Sequence, residues 1–332
     1  MGAALPRVTV VIPTYNRWLM LRSAIWSAVH QEDVETRVIV VVDDGTADET
    51  RERLDGVEDD TLAVLYAGPP GGVSRARNLG LEHVETEWVA FLDDDDVWAP
   101  PHLAGLFDAM GRAGGEERIG LAYSGAVSIT PERTVLQLRV GPEPSEAVDG
   151  LLSENALGPP SCVLLRADAV RAVGGFDPEL AVTADWDLWL RAAPRVELAA
   201  SPALSVGYTR HPGNLHLGVE RALEELPRLD ERYAERMRDR AVTFTDNCSR
   251  WIASSYRAAG RRRQAARWYL RTFRLERRPR DLGRAFGILL GERAIELSGQ
   301  RRTVVFPPEI TPWLEGIRFI DRLPSEEVPF GR

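Results

Sequence analysis

The 332-residue sequence has no lysine; all 41 of its basic residues are arginine. We read that as a bias of the coding genome rather than a mark of function. Cysteine is nearly missing as well. Cys162 and Cys248, far apart in the chain, exclude a disulfide framework and a cysteine-rich zinc site. They point to a reducing compartment. No apolar run reaches the ~18 residues of a membrane-spanning helix. The opening MGAALPRVTVVIPTYNR lacks the charged start and apolar core of a signal peptide. A cytoplasmic protein is expected, with peripheral attachment to the inner face of a membrane as an extension. Internal repeats are also missing.

What is present suits one large globular domain or two smaller ones: 44% hydrophobic and 27% charged residues. The formal charge of -9 is unevenly spread. Residues 261–302 hold 13 Arg and 4 acidic residues, a local +9, which leaves -18 on the remainder. So acidic a remainder speaks against nucleic acid as a partner.

Three β-branched runs stand out early: Val8–Ile12, Val38–Val42 and Trp88–Leu92, with a weaker one at Leu62–Tyr66. Near-continuous runs of this kind predict strands buried on both faces of a mostly parallel sheet. Helical spacing lies between them at Leu19–Val29 (with Asn16 as candidate N-cap), Ala47–Leu54 and Val73–Val84. The alternation predicts an open α/β sheet flanked by helices. Beyond residue 115, Ile119–Ile129, Thr134–Val140, Ser161–Leu165 and Val196–Val206 read as strands of a more antiparallel part. Asp185–Ala193 reads as a helix and Tyr208–Leu217 as a Gly/Pro/His loop. From about 218 the chain is helical and charged. The expected divisions are 1–215, a helical, Arg-rich 216–306, and a Pro-rich tail, irregular or partly ordered, at 307–332.

Ligands of open α/β sheets bind at the carboxyl ends of the strands. Pro13-Thr14-Tyr15-Asn16-Arg17, Asp43-Asp44-Gly45-Thr46 and the acids of FLDDDDVW (91–98) all fall there. At ~4 Å two like charges repel by about 1 kcal/mol in water and about 4 near a protein surface. A hard divalent cation would relieve that repulsion among Asp93, Asp94, Asp95 and Asp96. A solvated acidic turn, with Asp96 capping the next helix, is the alternative.

The set IPTYNR (12–17), VVDDGT (41–46), GVSRARNLGL (72–81), FLDDDDVW (91–98), GGFDPEL (174–180) and ADWDLWLR (184–191) resembles the family 2 glycosyltransferases of GT-A fold. The resemblance covers residues 7–215. It implies transfer of a sugar from a nucleotide-diphosphate donor (a UDP-, GDP- or dTDP-sugar) to an acceptor hydroxyl with inversion. It assigns Pro13, Thr14, Tyr15, Asp43 and Asp44 to the nucleobase. Arg77 lies beside the nucleotide, and Arg75 better fits a solvated helix face. Asp93 or Asp94 would face the ribose or metal-bound water. Asp95 would ligate a divalent cation, Mn²⁺ or Mg²⁺. Asp185 would be the general base. The family often has Glu where this chain has Ala184. Asp187 reads as structural, capping the helix or bonded to Arg191. His211, in the Gly/Pro/His loop, would ligate the metal or contact the diphosphate, or is an ordinary loop histidine.

His30, His83 and His102 sit on predicted helices and are expected to face solvent. Trp189 reads as core, whereas Trp186 is open between core and sugar stacking. Residues 261–290 alternate Arg with aromatic and aliphatic residues. They fit a basic helix on an anionic membrane surface, serving a lipid-linked acceptor, or a bundle with its arginines in water. A glycan or small-molecule acceptor is equally open. Two other functions remain at this stage. A nucleotidyltransferase usually has a Gly-rich loop after the first strand, and IPTYNR has none. A non-catalytic nucleotide-sugar or glycan-binding protein would not need the acids that are retained.

Overall fold

The computed structural model describes residues 4–43, 48–57, 60–211, 218–290, 307 and 310–322. Two compact units divide the chain. The first comprises residues 1–151, 155–211 and 306–332; the second 152–154 and 212–305.

The first unit is organised by the apolar runs read above. β1 (Arg7–Thr14), β2 (Glu35–Val42), β3 (Leu62–Tyr66) and β4 (Trp88–Phe91) pair in parallel in the order β3-β2-β1-β4. Val8, Val10, Val11, Ile12 and Val38–Val42 are buried because helices cover both sheet faces. The sheet continues through β8 (Val163–Arg166), β6 (Ile119–Ile129), β9 (Glu197–Thr209) and β5 (Val97–Trp98). Here β8 is antiparallel to both neighbours, β9 is parallel to β6, and β7 (Val135–Arg139) is antiparallel to β6. The sheet is thus parallel in its first half and mixed in its second. Helices α1 (Trp18–Val29), α2 (Thr50–Leu54), α3 (Val73–Glu82), α4 (His102–Arg112), α5 (Pro144–Gly150), α6 (Ala167–Ala172) and α7 (Ala184–Ala192) complete this run.

Local expectations were overturned at two places. Asn16 does not cap α1. It takes the left-handed conformation at φ 52°, which asparagine tolerates. The Trp18 amide donates instead to Asp48 Oδ2 at 2.8 Å, so the N-terminal donor of α1 is satisfied from another loop. His102 is not solvated. It is buried, with Nδ1 2.8 Å from Ser205 Oγ and its ring 4.7 Å from that of Trp98. Burial lowers its pKa to about 3, so the ring is neutral. His83 is exposed as expected, and His30 is half-buried and stacked on Trp26.

The tail contributes a helix to the first unit. Residues 310–322 form a helix that accommodates Pro312, which falls in the first turn, where its missing N–H has no intrahelical partner. Ile310, Leu314 and Ile317 recur at helical spacing and pack against Val97, Val127 and Ile129 of β5 and β6.

The second unit is helical: α8 (Val219–Arg232), α9 (Phe244–Asn247), α10 (Ser249–Ala258), α11 (Arg262–Glu276) and α12 (Pro279–Leu290). Thr243 and Asp246 form a reciprocal capping box at α9. Ile252, Ala265, Ala266 and Tyr269 are buried in this unit, whereas Arg262, Arg263, Arg267, Arg274 and Arg280 are exposed. We number the helix Ile310–Arg322 of the first unit α13. Among the described residues no helix is long and apolar enough to cross a membrane. Both cysteines are free thiols.

Candidate active site

The carboxyl ends of β1, β2 and β4 carry the polar clusters, as the sheet order requires. The four acids do not share one environment. Residues 93–96 form a tight turn between β4 and β5, closed by the Asp96 amide donating to the Asp93 carbonyl at 3.0 Å. Each carboxylate leaves that turn toward different partners.

Asp93 pairs with Arg77 Nη2. Arg77, from α3, is buried, and its guanidinium lies 5.0 Å from the centre of the Phe176 ring. Arg75, two residues earlier, is exposed. Asp94, grouped with the donor-facing acids by sequence, is buried and turned inward. Its Oδ2 accepts from the Thr14 hydroxyl at 2.8 Å and its Oδ1 from Arg17 Nη1 at 3.0 Å. Burial, then the neighbouring Asp95 charge, raises its pKa to about 7 against the opposing pull of Arg17. Asp95 Oδ2 lies 3.0 Å from the same Arg17 Nη1 and 2.9 Å from His211 Nε2.

Asp96 does not cap a helix. The chain enters β5 directly after it, and α4 begins only at His102. Its side chain is fully buried. Oδ2 accepts from the Ser161 hydroxyl at 2.6 Å and Oδ1 from the Thr209 amide at 3.0 Å. Burial and the charges of Asp95 and Asp93 push its pKa well above the usual carboxylate range. Asp96 therefore ties β4, the approach to β8 and the end of β9 together.

Asp93, Asp95 and Asp96 each bring one carboxylate oxygen to within 4.8 Å of the others. Both Asp96 oxygens already serve the protein, so Asp93 and Asp95 are the acids suited to a ligand. Hard oxygen donors of this type, with an imidazole at hand, fit Mn²⁺ or Mg²⁺.

Asp43 accepts from the Gly71 and Gly72 amides at 2.8 and 2.9 Å. Gly72 stands at φ 85° before α3, a conformation in which a side chain would be strained, so this carboxylate fixes the loop that starts the Arg77 helix. Pro13 is buried at the end of β1, and Tyr15 just beyond it is 51% exposed. Asp44 lies outside the described residues.

Asp185 stands in the first turn of α7, whose N-cap is Thr183. Its Oδ2 accepts from Asn155 Nδ2 at 2.8 Å and its Oδ1 from the Trp186 amide at 2.7 Å. Burial raises its pKa to about 6, and the Arg77 charge restrains the rise. Asp187 is fully buried and paired with Arg191 at 2.7 Å, the i,i+4 partner read from sequence. Trp189 is core as expected. Trp186 is core too: it is buried and its indole N–H donates to the Leu151 carbonyl at 2.7 Å.

Sequence reasoning missed Arg17, Ser161, Asn155 and the Thr209 amide. Arg17 lies inside IPTYNR, so its place at a strand end was a usable signal. The other three are brought in by distant segments, and no local spacing marks them.

Residues 9–131 match the family described as Glycosyl transferase family 2. The succinoglycan biosynthesis protein ExoW of Rhizobium meliloti is 34% identical over 110 residues, 32% of this chain and 34% of its own length. The putative teichuronic acid biosynthesis glycosyltransferase TuaG of Bacillus subtilis is 27% identical over 187 residues, 56% of this chain and 71% of its own. The match to the first of these thus spans about a third of that relative. A mannosyltransferase of Pyrobaculum calidifontis, solved in complex with GDP-Man and Mn²⁺, superposes with a TM-score of 0.52 at 17% identity, over 96% of this chain and 86% of that one. At that identity the likeness is one of fold.

Proposed function

For a chain whose residues 9–131 match glycosyltransferase family 2, we propose a metal-assisted, inverting transfer of a sugar from a nucleotide-diphosphate donor to an acceptor hydroxyl. The observation that carries it is Asp185. This carboxylate has a pKa of about 6 and feels the charge of the same Arg77 that pairs with Asp93 at the strand ends. A base poised near neutrality beside a cluster of ligand-ready acids suits this chemistry.

In that reading the acceptor oxygen bonds to the anomeric carbon while the bond from that carbon to the diphosphate oxygen breaks. The hydroxyl proton passes to Asp185 and the electron pair leaves with the nucleoside diphosphate. Each Asp185 oxygen accepts one hydrogen bond and keeps a lone pair for that proton. Asn155 and the Trp186 amide hold the carboxylate in one orientation. Asp95 and Asp93, with His211, would hold a divalent cation, which supplies Lewis-acid stabilisation of the departing phosphate. Arg77 places fixed positive charge at the same end of the sheet. Tyr15 is exposed where the nucleobase would stack, beside Pro13 and Thr14.

The Mn²⁺ and GDP-Man bound by the Pyrobaculum mannosyltransferase support a cation and a nucleotide sugar as ligands here. The polysaccharide pathways named for ExoW and TuaG support a glycan acceptor. Exposed arginines of α11 and α12, with exposed Phe286 and Leu289, support peripheral contact with an anionic membrane and a lipid-linked acceptor. Co-sedimentation with anionic vesicles, compared with neutral ones, tests that extension.

The main test is a screen of UDP-, GDP- and dTDP-sugars with Mn²⁺ or Mg²⁺. Thermal stabilisation is read first, then donor hydrolysis and transfer. One donor should stabilise the protein only when the cation is present and should be turned over. Stabilisation by a nucleotide sugar without any turnover would overturn the enzymatic reading.

A further inference from the structure

The end of β9 depends on a part of the chain far away in sequence. The Thr209 amide donates to Asp96, and His211, two residues on, lies against Asp95. The Arg210 amide donates to the Ile129 carbonyl at 2.7 Å. The Thr209 hydroxyl accepts from Arg133 Nη1 at 3.1 Å. The other two nitrogens of that guanidinium are gripped by Asp321: Nε to Oδ2 at 2.9 Å and Nη2 to Oδ1 at 3.1 Å. Arg133 belongs to the turn between β6 and β7, at φ 61°, and is 4% exposed. Asp321 belongs to the last turn of α13.

Several further contacts seat α13. Asp321 Oδ1 also accepts from the Ser23 hydroxyl at 2.6 Å, and the Asp321 carbonyl accepts from Arg22. Arg318 Nη2 donates to the Arg133 carbonyl at 2.8 Å. Gly207 of β9 lies under Trp313: a Cβ there would stand 3.2 Å from the indole. The helix therefore holds the β6–β7 turn and the last residues of β9 at once.

We propose that α13 is a brace for the His211-bearing end of β9, acting through Asp321, Arg133 and Thr209. Asp321 and Arg133 are positioning residues; neither touches a reacting group. A buried guanidinium whose three donor directions are all used fixes its acceptors relative to one another. With the Asp321 charge removed, Arg133 must find other acceptors, and Thr209 loses a fixed neighbour. Thr209 in turn orients Asp96, which holds the turn carrying Asp95. The functional half of the proposal rests on the reading of Asp95 and His211 as metal ligands. The structural half does not.

The experiment is amide hydrogen exchange by mass spectrometry on the full chain, comparing wild type with Asp321→Asn and Thr209→Val. In Asp321→Asn, exchange across residues 205–211 should accelerate about tenfold, with β1 and β2 unchanged. Thr209→Val leaves α13 seated and cuts only the last link, so a rise of about threefold confined to 207–211 is expected. Unchanged exchange in both variants would overturn the brace. A second reading, Mn²⁺ affinity by electron paramagnetic resonance titration, separates positioning from mere stability. Affinity should fall about tenfold in Asp321→Asn, a loss of about 1.4 kcal/mol. Accelerated exchange with unchanged affinity would overturn the positioning role. Wild-type protein that binds no Mn²⁺ would sink the metal reading instead, and the exchange result would still decide the brace.

Discussion

The two acidic segments, FLDDDDVW at the end of β4 and ADWDLWLR at the start of α7, each set a carboxylate proposed for the reaction near a fully buried one held by the protein. In α7, Asp185 is the proposed base and Asp187 is fully buried. In the turn after β4, Asp95 is the proposed metal ligand and Asp96 is fully buried. The difference lies in where the structural acid finds its partner. Asp187 finds Arg191 one helical turn away. Asp96 finds only neutral donors, the Ser161 hydroxyl and the Thr209 amide, from two remote segments. Asp96, held by neutral donors alone, is driven toward its protonated form by burial and by the charges of Asp95 and Asp93.

The largest test of this division is Asp185→Asn. Loss of a general base should lower transfer by about 10² to 10⁴-fold, while metal-dependent stabilisation by the donor persists. In wild type, kcat/KM should fall as pH drops through about 6, because only the ionised carboxylate accepts the proton. An ordinary carboxylate would place that limb near 4. Since the Arg77 charge lowers the Asp185 pKa, Arg77→Met should move the limb to higher pH, beyond its effect on rate. Full transfer by Asp185→Asn would erase the distinction between the two acids of α7.

The same contrast shows what was legible in the sequence. The Val/Ile runs specify β1, β2 and β4 because burial on both faces leaves no polar alternation to interpret. They also fix which strand ends face the site. Asp187 was legible because helix periodicity puts Arg191 within reach. Asp96 was not, since a run of four aspartates gives no sign of which one the end of β9 will meet. His102 misled for the reason that Asp96 did: its partner, Ser205, comes from a distant strand. The tail helix was hard to read because Pro312 lies in its first turn rather than in its interior. Arg17 was visible but unassigned, and it joins Asp94 to Asp95.

The next effect in size concerns stability. Asp187→Asn removes the charge from a buried pair and leaves Arg191 facing an amide, which should destabilise by about 3 kcal/mol in denaturant unfolding. Transfer per folded molecule should change little. A loss below about 1 kcal/mol would mean that the carbonyls of Val173 and Gly175, which Arg191 also meets, hold it without the acid.

A cation gives a comparable shift in the other segment. Mn²⁺ at a hundred times its Kd should stabilise wild type by about 2.7 kcal/mol. Asp95→Asn should abolish that gain. Asp96→Asn should retain most of it, because the Asp96 oxygens serve Ser161 and Thr209 rather than a ligand. Equal loss in both variants would place Asp96 among the metal ligands.

The smallest effect should come from Asp96→Asn in the absence of metal, and it is the sharpest comparison with Asp187→Asn. The two substitutions are the same change at two fully buried sites. At Asp96 the amide oxygen can still accept from the Thr209 amide, and the new NH₂ can donate to the Ser161 hydroxyl, which rotates to suit. Asp96 has no cation to lose. Burial opposes its charge, and the repulsion from Asp95 and Asp93 disappears with it. The change in unfolding free energy should therefore stay within about 1 kcal/mol of wild type at neutral pH. It should move in the favourable direction as pH rises, because the variant no longer has to bury an ionising group. A loss as large as that of Asp187→Asn would mean that the charge itself, and not the two hydrogen bonds, joins the turn to the end of β9.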